Sequence, residues 1–244
     1  MSTLRSLPDT IADRLIVALD LEDPSAARRL VEALDGVTSF YKIGMWLLYQ
    51  PDTARLIDDL VGSGKRVFLD AKMYDIGETV RRGVQSVAGR GVTFVTVHGD
   101  PDILRAAVTG AEGSALQVLA VSVLTSLDDA GLRAMGYAMG ARELVAHRVR
   151  AAAASGCHGV IASPADNPDE LRRQAGNERL LVVTPGIRME DDPADDQRRI
   201  GTPDAAIASG SDYLVVGRPI TRAAAPRERA LRIIDAMAAG QARR

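Results

Sequence analysis

Residues 66–79 read RVFLDAKMYDIGET, a run that begins as a buried strand and ends in charge. Val67, Phe68 and Leu69 supply the apolar, β-favouring start, and Asp70, Lys72 and Asp75 follow directly. A nearly continuous apolar strand belongs to a parallel sheet covered on both faces, since a strand with one wet face would alternate. Charges gathered at the C-terminal end of such a strand mark the rim where sheets of this kind bind ligands.

Outward from this stretch the same unit repeats. Short apolar runs stand at 14–20 (RLIVALD), 40–48 (FYKIGMWLL), 94–99 (FVTVHG), 117–124 (QVLAVSVL), 159–163 (GVIAS), 180–187 (LLVVTPGI) and 213–220 (YLVVGRPI). Each gap holds one crossover helix with its loops. DPSAARRLVEALDG is the clearest, with Pro24 early and Gly36 just past the end. Eight βα units predict an α/β protein, a (β/α)₈ TIM barrel forming a single domain over residues 1–244 with its core at about 14–238. A doubly wound open sheet is the other arrangement weighed, but no GxGxxG follows the first strand. Two long connections, 125–140 and 188–202, follow strands five and seven and are candidate lids.

Composition narrows the partners. The 244 residues carry a formal net charge of −2, which gives no basic face for nucleic acid. The lone Cys157 excludes an internal disulfide and suits a reducing compartment. No apolar run is long enough for a membrane span or a signal peptide, so the expected location is the cytoplasm.

Charged residues interrupt the predicted strands at one end only. Asp20 closes the first, Lys42 sits in the second, and Asp70 and Lys72 close the third. Side chains two apart on a strand share a face, so Asp70 and Lys72 are expected to point together toward the barrel axis. Enclosed ions need partners, and alternating lysines and aspartates supply them. In VVGRPIT, Gly217 lets backbone approach an anion and Arg218 offers a fork for phosphate oxygens. Arg188 and Gln197, in the preceding loop, are placed to reach the same anion. Three other signals are set aside. His98 reads equally well as part of the site wall, Cys157 and His158 fall at the opposite end of the barrel, and Gly62, Gly64 and Lys65 form a helix-to-strand turn.

With DAKMYDI in the third-strand position, and VALD, YKIG, SVLTS, TPGIR, DQRRI and VVGRPIT in order around it, the chain resembles the orotidine 5′-phosphate decarboxylase family over residues 14–238. The resemblance implies conversion of orotidine monophosphate to uridine monophosphate in pyrimidine synthesis, with no metal or organic cofactor. It makes Lys72 the proton donor, Asp70 the carboxylate facing the substrate's own, and Lys42 the cation between Asp20 and Asp70. Asp75, with Ile76 and Thr79, would come from the second subunit of a homodimer. Thr125 and Ser126 would face the pyrimidine, Asp20 the ribose, and Arg188, Gln197, Gly217 and Arg218 the phosphate. The bacterial pattern LKFHDIPNT differs at Ala71, Met73, Tyr74, Gly77 and Glu78. Gly77 in place of proline is expected to loosen the turn, and Glu78 to add negative charge near a dianionic substrate.

Three rival functions share these residues. Magnesium-dependent sugar-phosphate relatives carry the same DxKxxD array, but Lys42 stands where they place an acidic metal ligand. A Schiff-base aldolase using Lys72 is opposed by the carboxylates that keep the amine protonated. A non-catalytic nucleotide binder would have no use for Asp70 beside an anionic ligand.

Overall fold

The computed structural model describes residues 7–192 and 199–244. Within them Leu15–Ala18 (β1), Phe40–Gly44 (β2), Arg66–Met73 (β3), Phe94–Val97 (β4), Gln117–Val121 (β5), Gly159–Ile161 (β6), Leu181–Thr184 (β7) and Tyr213–Val216 (β8) form the sheet. Every neighbouring pair is parallel, and β8 pairs with β1, which closes the barrel in sequence order.

The first half of the chain contributes helices Pro24–Ala33 (α1), Met45–Leu48 (α2), Thr53–Gly62 (α3), Gly77–Ala88 (α4) and Pro101–Ala111 (α5). The second half contributes Asp129–Ala134 (α6), Ala141–Ala154 (α7), Pro168–Ala175 (α8), Pro203–Ala208 (α9), Arg218–Thr221 (α10) and Pro226–Ala242 (α11). Their ends follow local chemistry. The Asp23 carboxylate accepts the Ala26 N–H at 2.8 Å and Pro24 opens α1, so the first turn loses no bond to the proline. Asp100 and Pro101 repeat the device at α5.

Several strands are shorter than the apolar runs suggest. β2 stops at Gly44 and the chain turns straight into α2, while β8 stops at Val216 before Gly217. Apolar character continues past both ends because those residues line the mouth or pack beneath it, which hydropathy alone does not distinguish from strand.

The interior of the barrel decides where the site sits. Phe40, Phe68 and Phe94, all the phenylalanines of the chain, point inward with Tyr213. Ring centroids lie 5.1 Å apart for Phe40–Phe94 and 5.3 Å for Phe94–Tyr213, the latter edge to face. Such pairs contribute about 0.5–1.5 kcal/mol each beyond the area they bury. This aromatic plug fills the lower barrel. Two residues beyond each phenylalanine, on the same inward face, stand Lys42, Asp70 and Thr96. The charged layer therefore rests directly on a rigid apolar floor.

Candidate active site

Four ionic side chains alternate across the C-terminal mouth. Lys42 Nζ donates to Asp20 at 2.9 Å (Oδ1) and 3.2 Å (Oδ2), and lies 3.5 Å from Asp70 Oδ2. Lys72 Nζ donates to Asp70 Oδ2 at 2.7 Å. Lys42 thus lies between two carboxylates. Its side chain is 8% exposed against 33% for Lys72, so Lys42 is fixed in the wall while Lys72 reaches the open cavity.

Burial by itself would push the Asp70 carboxyl upward. Lys42, Lys72 and the hydrogen bonds from Lys72 and Thr96 outweigh that effect and hold it below the ordinary carboxylate range. Asp70 is therefore a fixed negative charge.

Asp70 and Lys72 come together by a different route from a regular pleat. Leu69 pairs with Val95 but Met73 pairs with Val97, so β3 spends four steps where β4 spends two. The surplus forms a bulge, with Lys72 at φ +45°. A lysine in the left-handed region costs of order 1–3 kcal/mol and persists only where surrounding contacts impose it. Thr96 imposes it here. Its Oγ1 accepts the Lys72 N–H at 3.0 Å and donates to Asp70 Oδ1 at 2.8 Å.

Gly44 is required by close approach. A Cβ on it would lie 2.5 Å from Asp20 Oδ1 and 2.8 Å from Lys42 Nζ, so any side chain would push into the Asp20–Lys42 pair. Neither Thr96 nor Gly44 is singled out by the sequence reading. The available signal for Thr96 is a polar residue in FVTVHG at the position matching Asp70, and for Gly44 the glycine after a strand lysine in YKIG.

The array opens into a cavity of about 800 Å³. Asp20, Lys42, Asp70, Lys72, Thr125, Ser126, Arg188, Gly217 and Arg218 all line it, and so does the apolar rim of Trp46 and Leu124. Arg188 is buried and donates through Nη1 to the Ile187 carbonyl at 2.9 Å. Arg218 begins α10 with Pro219 next to it, directly above β8. The arginines after β7 and β8 thus share one cavity with the alternating array.

Three residues assigned by the resemblance to a second subunit's site lie outside this chain's own cavity. Asp75 and Thr79 are exposed and Ile76 is 73% exposed, and none of them lines the cavity of this chain. Asp75 Oδ1 accepts only the neighbouring Ile76 N–H, at 2.6 Å, among the hydrogen bonds described. Gln197 lies outside the described residues. Glu78 does not direct its charge at the cavity. It pairs with Arg81 at 2.8 Å and Arg82 at 2.6 Å along α4, and those hydrogen bonds hold its carboxyl at about 2. Gly77 begins α4, so the turn after Asp75 passes at once into helix.

His98 follows β4, and burial, then the positive charges of Arg148 and Lys72, lower its imidazole below the ordinary value. The Cys157 thiol is pushed up to about 12 by burial, which leaves it inert. His158 accepts the Val118 N–H on Nδ1 at 3.1 Å, a tie at the base of β5. The 125–140 connection contains α6, capped by Asp128.

A closed parallel barrel whose mouth holds a lysine–carboxylate array and a glycine–arginine turn around one cavity defines a barrel enzyme acting on an anionic small molecule. Comparison with known proteins makes the assignment narrower. The chain belongs to the orotidine 5′-phosphate decarboxylase / HUMPS family, whose sequence model matches residues 13–233. It is 48% identical over 242 residues to the orotidine 5′-phosphate decarboxylase of Methylococcus capsulatus, covering 97% of this chain and 98% of that one. It is 49% identical over 238 residues to that of Methylobacterium nodulans, covering 96% and 100%. Among solved structures, the orotidine 5′-phosphate decarboxylase of Lactobacillus acidophilus superposes with a TM-score of 0.80 at 35% identity, covering 92% of this chain and 99% of that one.

Proposed function

We propose that this chain decarboxylates orotidine 5′-monophosphate to uridine 5′-monophosphate and CO₂, as a homodimer of single-domain subunits and without metal or organic cofactor, in the cytoplasm. The observation that carries the reading is the unbroken order Asp20–Lys42–Asp70–Lys72 across the mouth, with Lys72 the more open of its two lysines.

Loss of CO₂ from C6 of the pyrimidine leaves an electron pair in the ring plane, out of reach of the ring carbonyls. That charge must be stabilised where it forms. An ammonium held beside C6 does so and then delivers its proton to the same carbon, and Asp70 and Thr96 together fix the Lys72 side chain and backbone for both tasks. Asp70 also faces the departing carboxylate. Two such charges 4 Å apart repel by ~4 kcal/mol at an effective dielectric of 20. Enzymes lower barriers by about 8–23 kcal/mol, so repulsion is a minor share and preorganised charge the major one.

Arg188, Gly217, Arg218 and Gln197 take the phosphate, Thr125 and Ser126 the pyrimidine, and Asp20 the ribose. Asp75, Ile76 and Thr79 enter the neighbouring subunit's site. Tyr74 at 70%, Ile76 at 73% and Trp46 at 69% exposure leave large apolar side chains facing solvent around the mouth, which supports a covering subunit. Lys42 supports the metal-free branch of the family, because its ammonium occupies the space between Asp20 and Asp70 that a divalent cation would need.

The test is loss of orotidine monophosphate absorbance in EDTA by wild type, by Lys72→Ala and Asp75→Ala each alone, and by the two variants mixed. Turnover by wild type, none by either variant alone, and recovery on mixing are expected. Folded wild type that turns over only with Mg²⁺ would refute the metal-free reading, and absence of recovery would refute the shared site.

A further inference from the structure

Residues 199–201 are held between two other loops. On one side Ile187 bridges Gly201, the Arg188 N–H donates to the Gly201 carbonyl at 3.0 Å, and the Gly201 N–H donates to the Gly186 carbonyl at 3.2 Å. On the other side the segment packs on the turn Pro164–Asp166 that follows β6. A Cβ on Gly201 would lie 2.6 Å from Pro164, and Ser163 Oγ donates to the Arg199 carbonyl at 3.2 Å. The Arg199 guanidinium closes the contact. It donates to Asp166 Oδ1 at 2.6 Å and to the Val123 carbonyl at 3.1 Å, in a pair whose side chains are 17% and 8% exposed. Asp166 is itself locked, since its Oδ2 accepts the Ser163 N–H at 2.8 Å while Ser163 caps the turn.

We propose that Arg199 is a positioning residue for phosphate recognition, which sets the distance between Arg188 and the strand end that carries Thr125 and Ser126. One guanidinium touches the turn after β6 and the end of β5, and its own backbone strand carries the Arg188 pairing. Among the described residues the Arg199 guanidinium is therefore the one side chain that joins all three loops, beside the Ser163 bond and the Pro164 packing that tie 199–201 to the β6 turn alone. The inference rests on the proposed decarboxylase reading. Without the Arg199 side chain the 199–201 segment keeps its pairing to 186–188 and its backbone contact with the β6 turn but loses its tie to Val123 and Asp166, and Arg188 moves relative to the pyrimidine side. A misplacement of about 1 Å lowers turnover on the order of 100-fold.

The experiment compares kcat/KM for orotidine monophosphate with that for orotidine, which lacks the phosphate, in wild type, Arg199→Ala, Arg199→Lys, Asp166→Asn and the Arg199→Ala/Asp166→Asn double variant. Arg199→Ala is expected to lose on the order of 100-fold on the monophosphate and nothing on orotidine, with a smaller loss for Arg199→Lys. The double variant is expected to lose no more than the worse single one. Should Arg199→Ala fail to fold, Arg199→Lys and Asp166→Asn carry the same comparison. Equal losses on both substrates, or none on the monophosphate, would overturn the proposal. Wild type inactive on the monophosphate would instead overturn the decarboxylase reading.

Discussion

The barrel carries a charged cluster at each end, built from similar residues and put to opposite use. At the base, Arg172 is fully buried and bonds in every direction, donating to Leu180 O at 2.9 Å, Gly210 O at 2.9 Å and Asp169 Oδ1 at 2.8 Å, and pairing with the buried Asp212. Asp212 also accepts the Val182 N–H at 2.8 Å, and Arg14 donates to the Asp212 and Ser211 carbonyls at 2.6 and 2.7 Å. Carbonyls and N–H groups of strand ends make up much of this cluster, so its work is to close the barrel. At the mouth, the array is made of side chains alone apart from the Lys72 N–H, and both its ends, Asp20 and Lys72, open on the cavity. Saturation by backbone marks a structural network, and an open ionic end marks a reactive one.

That contrast is tested most severely by removing one cation from each end. Lys72→Ala abolishes the proposed decarboxylation, a loss of ~10⁴-fold or more, while folding stability changes by no more than about 1 kcal/mol because Lys72 is partly solvated and Lys42 and Thr96 still hold Asp70. Arg172→Met does the reverse. It strands Asp212 in the interior and costs about 3–5 kcal/mol, a fall in Tm of roughly 10 °C, with kcat per folded molecule unchanged. Thermal melts and active-site titration of both variants decide it. A Lys72→Ala protein as unstable as Arg172→Met would make the mouth array structural as well.

A subtler intervention sharpens the same distinction. In Gly44→Ala the added methyl meets the ends of Asp20 and Lys42, flexible side chains that yield cheaply. The variant is expected to melt within a degree or two of wild type and to lose about 100-fold in kcat/KM through displaced charges. A large fall in Tm with kcat preserved would show that Gly44 serves the backbone.

The two ends also differ in how far they could be read from the sequence. Charges interrupting apolar strands at one end exposed the mouth array, and the eight-fold repeat exposed the barrel. The base was hidden. Arg172 and Arg173 stand side by side in a polar helix, yet the first is fully buried and the second has 60% of its side chain exposed. Nothing local separates them, because the difference is set by Asp212, forty residues away. The bulge at Lys72 was equally hidden, since register is a property of β3 and β4 jointly. Placement of Asp75 outside the chain's own cavity was expected only from family resemblance, as a strand-end aspartate reads the same whichever subunit it serves. The floor of phenylalanines was in plain view as F-x-K, F-x-D and F-x-T at 40, 68 and 94, a pattern whose meaning depends on the pairing of the strands, in which Phe68 stands opposite Phe94 but Phe40 is offset by two residues, opposite Arg66.

The smallest expected effect concerns proton binding at the mouth. Burial, then Arg148 and Lys72, lower the His98 imidazole below 6.5, so the folded protein keeps it neutral where the unfolded chain already takes up a proton. Because the unfolded state then binds more protons, stability falls as pH drops below 6.5 toward the lowered folded value, and is fully restored above 6.5. Asp70 contributes in the opposite range. Its folded value lies below 3.8, so its share of stability is present above 3.8 and is lost only as pH falls through that lower value. His98→Gln should therefore flatten the loss of Tm just below pH 6.5 and leave the steeper acid loss below 3.8 in place. If His98→Gln left the first slope as it was, the imidazole would not be held below its unfolded value, and neither its burial nor the charges of Arg148 and Lys72 would act on it in this way.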